Sequence, residues 1–182
     1  LGRFTAVWQE GAVLLISVLN ILRMLNKNLL RVAGWGVVLG MAAISIVIPY
    51  EVFGRYFLGS MPPWSGELTT FSLVWVTMLG AAVGLPRGYQ IGMTSLVDKL
   101  PPGAGRAVKV LGYAVSMVIL SVLVIYGFDQ TLLNINQISS AMQISMALPY
   151  LAIPVGSFLM WLVTLEQALD VLTGNRLSPQ ES

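Results

Sequence analysis

Four stretches of this 182-residue chain, 32–50, 68–86, 110–128 and 130–165, contain no Asp, Glu, Lys or Arg. An ionised side chain at the centre of a bilayer costs several kcal/mol, so long charge-free windows mark the segments that can sit there. An α-helix rises about 1.5 Å per residue and the hydrocarbon core is about 30 Å thick, so roughly 20 apolar residues cross it. The first three windows therefore predict spans at about 32–55, 65–86 and 107–129. The fourth window is too long for one span. Its first part, Gln130 to Gln143, is rich in Asn, Gln and Ser and reads as an external connection with helical extensions. Its second part predicts a span at about 145–170, with Pro149 near the helix start and Pro154 placed to kink it.

Only 10% of the residues are charged and 56% are hydrophobic, against roughly 25% charged in a soluble domain. Most of the exterior must then face lipid, and the expected fold is a single all-α integral membrane domain over 1–182. Lys and Arg set its orientation. Arg3, Arg23, Lys27 and Arg31 precede the first span, Arg87, Lys99, Arg106 and Lys109 lie between the second and third, and Arg176 follows the fourth. Only Arg55 falls on the other side, and this bias predicts both termini in the cytoplasm.

The segments outside the spans are less constrained. In residues 4–31, Leu14, Leu15, Val18, Leu19, Leu22 and Leu25 share one helical face, with Glu10, Ser17, Asn20, Lys27 and Arg31 near the opposite one. This pattern predicts an amphipathic helix lying in the membrane interface. A fifth span is the alternative, and it would place the N-terminus outside. In the 87–106 loop, Ile91, Leu96, Val97 and Leu100 alternate with polar residues before Pro101-Pro102-Gly103. A short amphipathic helix and an irregular loop are both compatible with that spacing. The polar tail 173–182 is expected to be flexible.

Chemistry-bearing residues are sparse. Cys and His are absent, which removes thiolate sites, the commonest general base and the commonest metal ligand. No catalytic, cofactor or metal constellation is visible, and a net charge of +2 does not suggest nucleic acid. The predicted spans carry no ionisable group near their centres, whereas a self-sufficient transporter of charged substrates usually places one there. The serines and threonines of the spans can be satisfied by carbonyls of their own helices. Two Gly-x-x-x-Gly spacings, Gly36 to Gly40 and Gly80 to Gly84, permit close helix approach within the bundle or against a second protein. The densest polar and aromatic cluster lies between the first two spans: Glu51, Arg55, Tyr56, Trp64 and Glu67. Glu51 and Arg55 have ion-pair spacing, Glu67 falls in the first turn of the second span, and Tyr56 and Trp64 suit the headgroup zone. These five residues can form an anchored structural turn or a surface read by a partner outside the membrane.

The segment 51–102, with Arg55-Tyr56, Trp64, Glu67, Trp75, Gly80-Ala81-Ala82, Arg87-Gly88 and Leu100-Pro101, resembles the small membrane subunit of tripartite ATP-independent periplasmic (TRAP) transporters. Leu148-Pro149 and Pro154-x-Gly156 extend the likeness through most of 35–165. Gly66 stands where that family usually has an acidic residue, and Gln90 where His is frequent. The resemblance implies an accessory subunit in a bacterial or archaeal cytoplasmic membrane. It would brace a large membrane subunit that carries organic acid and sodium, and would help dock a periplasmic substrate-binding protein. Sodium is expected in the large subunit, with no cofactor in this chain. C4-dicarboxylate and sialic acid are both within the family's range, and no residue here chooses between them. The competing reading is a small homo-oligomeric transporter or channel.

Overall fold

A computed structural model describes residues 2–59, 62–97 and 102–173. Four helices account for nearly all of them: α1 (Gly2–Phe53), α2 (Pro63–Val97), α3 (Pro102–Leu133) and α4 (Ala147–Thr173). All four are long and apolar enough to cross a membrane. A π-helical turn, Gly54–Leu58, follows α1 and ends at Gly59, whose φ of 64° is the left-handed conformation that glycine adopts without steric cost. Pro63 and Pro102 each open a helix, where the missing N–H costs no hydrogen bond. Pro149 lies in the first turn of α4, and Pro154 lies inside it.

The expected boundary at residue 31 is absent. No glycine or proline interrupts Ala12 to Ala33, and α1 runs unbroken through this segment. Leu19, Asn26, Ala33 and Val47 are buried along it, with Gly40 against Val76. These positions recur every seven residues and so share one face of α1, which meets α4 at Asn26 and α2 at Gly40. Residues 19–31 thus belong to the same packing stripe as the span, while Lys27 and Arg31 stay exposed on its other side. The part from Ser17 to Phe57 alone has 41 residues, about twice what a 30 Å core needs. The 87–106 segment also differs from a separate short helix. It is shared between the end of α2, which continues through Pro86 to Val97, and the start of α3. The tail 174–182 lies outside the described residues.

Helix α1 packs on α2 and α3 on α4, whereas α2 and α3 barely touch. Helix α4 is the hub, touching α1, α2 and α3, whereas α3 rests almost wholly on α4. Close contacts are made by small residues: a Cβ on Gly127 would lie 3.0 Å from Pro154, and one on Gly156 would lie 2.7 Å from Met78. Some hydroxyls inside the spans bond back to their own helices, as Thr77 does to the Leu73 carbonyl and Ser121 to that of Met117, whereas the buried hydroxyls of Thr69 and Ser157 make no hydrogen bond among the described residues. Ser121 also accepts the indole N–H of Trp161, joining α3 to α4 at 3.1 Å.

Candidate functional site

Polar side chains gather at the two ends of the bundle. At the end that holds the α1–α2 turn, Glu51 and Arg55 form an i,i+4 ion pair at 3.5 Å. The pair is asymmetric, since the Arg55 side chain is 55% exposed and that of Glu51 is 19% exposed. Arg55 therefore presents its guanidinium outward from a carboxylate set into the turn. Tyr50 stacks on Trp64 across the hairpin with ring centroids 6.2 Å apart, and Phe53 stacks on Phe57 at 4.5 Å. Tyr56 and Phe57 are largely exposed beside Arg55. The result is an outward aromatic shelf carrying one cation.

Glu67 takes a different part. Its carboxylate accepts hydrogen bonds from the Ser139 hydroxyl, from the Ala141 backbone N–H at 3.0 Å and from the Met142 backbone N–H at 2.9 Å. Three donors of the α3–α4 connection converge on one acid of α2. That connection is a small hairpin closed by an antiparallel bridge between Ile138 and Ser145. Ser139 is buried beneath it, and Gln143 holds a φ of 55°. A second tether fixes the start of α4, where the Trp75 indole donates to the Leu148 carbonyl at 3.2 Å. The sequence placed Glu67 at a helix N-terminus but carried no sign of these partners more than 70 positions away. The Ser and backbone donors that select it have no distinctive spacing.

The opposite end is closed by a cluster that sequence reasoning missed. Arg23 donates to Asp170 at 2.5 Å and lies 3.8 Å from Glu166. Buried Asn26 donates to Glu166 at 2.5 Å and to the Leu162 carbonyl at 3.2 Å. From α3, Arg106 donates to the carbonyls of Val171 and Leu172 and so satisfies the last turn of α4. Helix α4 is thus gripped from both sides by arginines. The signal available in sequence was the i, i+4 pair Glu166 and Asp170 facing Arg23 and Asn26, but nothing local joins segments separated by 147 positions.

The Arg23–Asp170 side chains are only 25% and 30% exposed, so their attraction is screened less than that of a surface pair. In a double-mutant cycle of Arg23→Gln and Asp170→Asn, the coupling should be about 1 kcal/mol. Thermal unfolding of the purified chain in detergent measures it. Additive losses would mean that the contact contributes nothing.

The two Gly-x-x-x-Gly pairs have opposite placements. A Cβ on Gly36 would lie 2.9 Å from Leu79, and one on Gly40 would collide with the Val76 side chain, so this pair seats α1 on α2. Gly80 and Gly84 face open space, with no atom within 4 Å of either Cβ position. Among the described residues, no three His, Cys, Asp or Glu side chains gather to hold a metal ion.

Comparison with known proteins agrees with this architecture. Residues 44–174 match the family described as tripartite ATP-independent periplasmic transporters, DctQ component. The chain is 24% identical over 152 residues to the sialic acid TRAP transporter small permease protein SiaQ of Vibrio cholerae, covering 83% of this chain and 87% of that protein. It is 30% identical over 99 residues to the C4-dicarboxylate TRAP transporter small permease protein DctQ of Rhodobacter capsulatus, covering 53% of this chain but only 44% of that protein. A putative TRAP transporter small permease protein of Haemophilus influenzae is 26% identical over 133 residues, 72% of this chain and 82% of its own length. With four apolar helices of spanning length and a match from within α1 to the end of α4, the chain belongs to the DctQ-component family of TRAP transporters, as a multi-pass protein of the inner membrane.

Proposed function

We propose that this chain is the small permease subunit of a sodium-coupled TRAP transporter for an organic acid, bracing a large membrane subunit and helping to dock a periplasmic binding protein. The family match carries the reading. Relatives named for C4-dicarboxylate and for sialic acid share a carboxylate-bearing substrate. In sequence, nine of ten basic residues precede the first span, lie between the second and third or follow the fourth, which supports cytoplasmic termini. The aromatic shelf with Arg55, Tyr56 and Trp64 then faces the periplasm. There it would meet the binding protein, next to the hairpin that Glu67 holds. Sodium and substrate belong to the large subunit, and the only acid–base clusters among the described residues lie at the ends of this bundle.

The outward face of α2 supports a membrane partner. Gly66, Thr70, Leu73, Thr77, Gly80 and Gly84 follow one another at alternating steps of four and three. Thr70 and Thr77 turn their hydroxyls back to the Gly66 and Leu73 carbonyls, which leaves a strip of small groups interrupted by the exposed Leu73. Lipid gains nothing from such a strip, whereas a facing helix gains close backbone approach. In co-expression with the tagged large subunit, Gly80→Leu/Gly84→Leu should lower co-purification about tenfold or more, since each clash costs about 1–3 kcal/mol. The isolated variant should melt like the parent, because both positions are open within the chain. Parental co-purification would move the contact elsewhere. Organic-acid uptake by this chain alone in proteoliposomes would overturn the accessory role and favour a homo-oligomeric transporter.

A further inference from the structure

Lys27 and Arg31 are exposed on α1, one helical turn apart. Among the described residues neither takes part in an ion pair or a hydrogen bond. The acids of the adjoining end cluster are engaged elsewhere, Glu166 by Arg23 and Asn26 and Asp170 by Arg23. Arg23, Lys27 and Arg31 also outnumber those two acids, so this part of α1 keeps a positive excess.

The depth of the two cations follows from their spacing to the opposite turn. The charge-free run 32–50 separates Arg31 from Glu51. At about 1.5 Å per residue it covers roughly 30 Å, the thickness of a hydrocarbon core. With Glu51 and Arg55 at one boundary, Lys27 and Arg31 stand at the phosphate level of the other.

Their side of the helix is also fixed. Gly36 and Gly40, which seat α1 on α2, follow Lys27 and Arg31 by nine positions each. At about 100° per residue, nine positions place two side chains on opposite sides of a helix. Helix α2, and with it the strip offered to a membrane partner, therefore lies across α1 from these cations. Their own side continues into the apolar zone through Gly34, Val38 and Met41, at alternating steps of three and four from Arg31. Val38 and Met41 are exposed, and a Cβ on Gly34 would meet nothing within 4 Å. Gly34 thus leaves a notch between Arg31 and Val38. Trp35, 65% exposed, stands one turn from Arg31 at the edge of that notch, a depth that suits an indole. Free cations at phosphate depth above an open hydrocarbon track match a molecule with a negative head and an acyl tail.

We propose that this face of α1 binds an anionic phospholipid, its phosphate between Lys27 and Arg31 and one acyl chain across Gly34 along Val38 and Met41. In the orientation proposed above the lipid belongs to the cytoplasmic leaflet, but the site does not depend on the transport reading. Bound lipid would hold the overlong α1 at a fixed depth.

The test uses the full chain in phosphatidylcholine nanodiscs doped with photoactivatable acyl-chain analogues of phosphatidylglycerol or phosphatidylcholine, with adducts located by mass spectrometry. On the 31–41 segment, phosphatidylglycerol adducts should exceed those of phosphatidylcholine by roughly fivefold or more. Lys27→Gln/Arg31→Gln should bring the two lipids close to parity with the melting temperature unchanged, and Lys27→Arg should keep the preference. Gly34→Leu, which fills the notch, should reduce adducts of both lipids here. Equal labelling by both lipids in the parent would overturn the proposal, as would a preference unchanged in the double variant. An equal preference on α3 around Arg106 would reduce the effect to general attraction and overturn the site. Displacement by millimolar inorganic phosphate would assign the cations to a free anion instead, and loss of labelling on co-expression with the large subunit would assign the face to a protein.

Discussion

Gly156→Leu should prevent α2 and α4 from packing and leave little monodisperse protein after extraction. A Cβ at this position would lie 2.7 Å from the Met78 Cβ and 3.1 Å from its backbone C and O. Two of those three atoms are main chain, so no rotamer change relieves the contact and the helices themselves must separate. Overpacking of this kind costs about 1–3 kcal/mol for modest insertions, and leucine adds three further carbons. Even Gly156→Ala should lower the melting temperature, although alanine gains up to about 1 kcal/mol in helix propensity over glycine. Gly80→Ala is the control: it makes the same chemical change where nothing lies within 4 Å, and should be neutral or slightly stabilising. Thermal melting followed by size-exclusion chromatography separates the two. If Gly156→Ala melts with the parent, the close approach of these helices is not needed.

Glu67→Ala should free the α3–α4 connection while the helices remain folded. The substitution deprives the Ser139 hydroxyl and the Ala141 and Met142 amides of their shared acceptor. Other tethers persist, including the Ser145 hydroxyl to the Ile135 carbonyl at 2.7 Å and the Trp75 indole to Leu148. Local opening, not global unfolding, is the expected consequence. Hydrogen exchange at Ala141 and Met142 should accelerate by about an order of magnitude or more, with amides in the middle of α4 unchanged. Glu67→Gln should fall between, because an amide offers one acceptor oxygen where the carboxylate offers two. In the assembled transporter, uptake should fall with Glu67→Ala, and more binding protein should restore it partly if the ordered hairpin contributes to docking. Unchanged exchange at both amides would show that the carboxylate does not hold the hairpin.

Much of the architecture was legible because its causes are local. Charge-free windows gave the four spans, and Pro149 marked the start of the last, where it lies in the first turn of α4. The spacing of Glu51 and Arg55 gave their ion pair. The limit of α1 was misjudged for a reason equally physical. Arg23, Lys27 and Arg31 read as the edge of a membrane segment, but none of them breaks a helix. Their long side chains can leave the apolar zone while the backbone continues. Of the apolar face expected over residues 14–25, Val18 and Leu25 are exposed, but Leu19 is buried.

Other features had no local signature. Gly36 to Gly40 and Gly80 to Gly84 are the same motif in sequence, and one is filled while the other faces outward. Glu67 meets its donors more than 70 residues along the chain, and Arg23 meets Asp170 across 147. In water, hydrophobicity would have told the inside of the bundle from the outside. In a membrane both faces are apolar, because lipid accepts Leu and Val as readily as a protein core does. Composition and charge alone thus determined the number of spans and the polar character of their ends, but not the length of α1. Which face of each helix meets another, and which polar groups pair at the ends, was decided by steric fit and hydrogen-bond satisfaction between segments far apart in the chain.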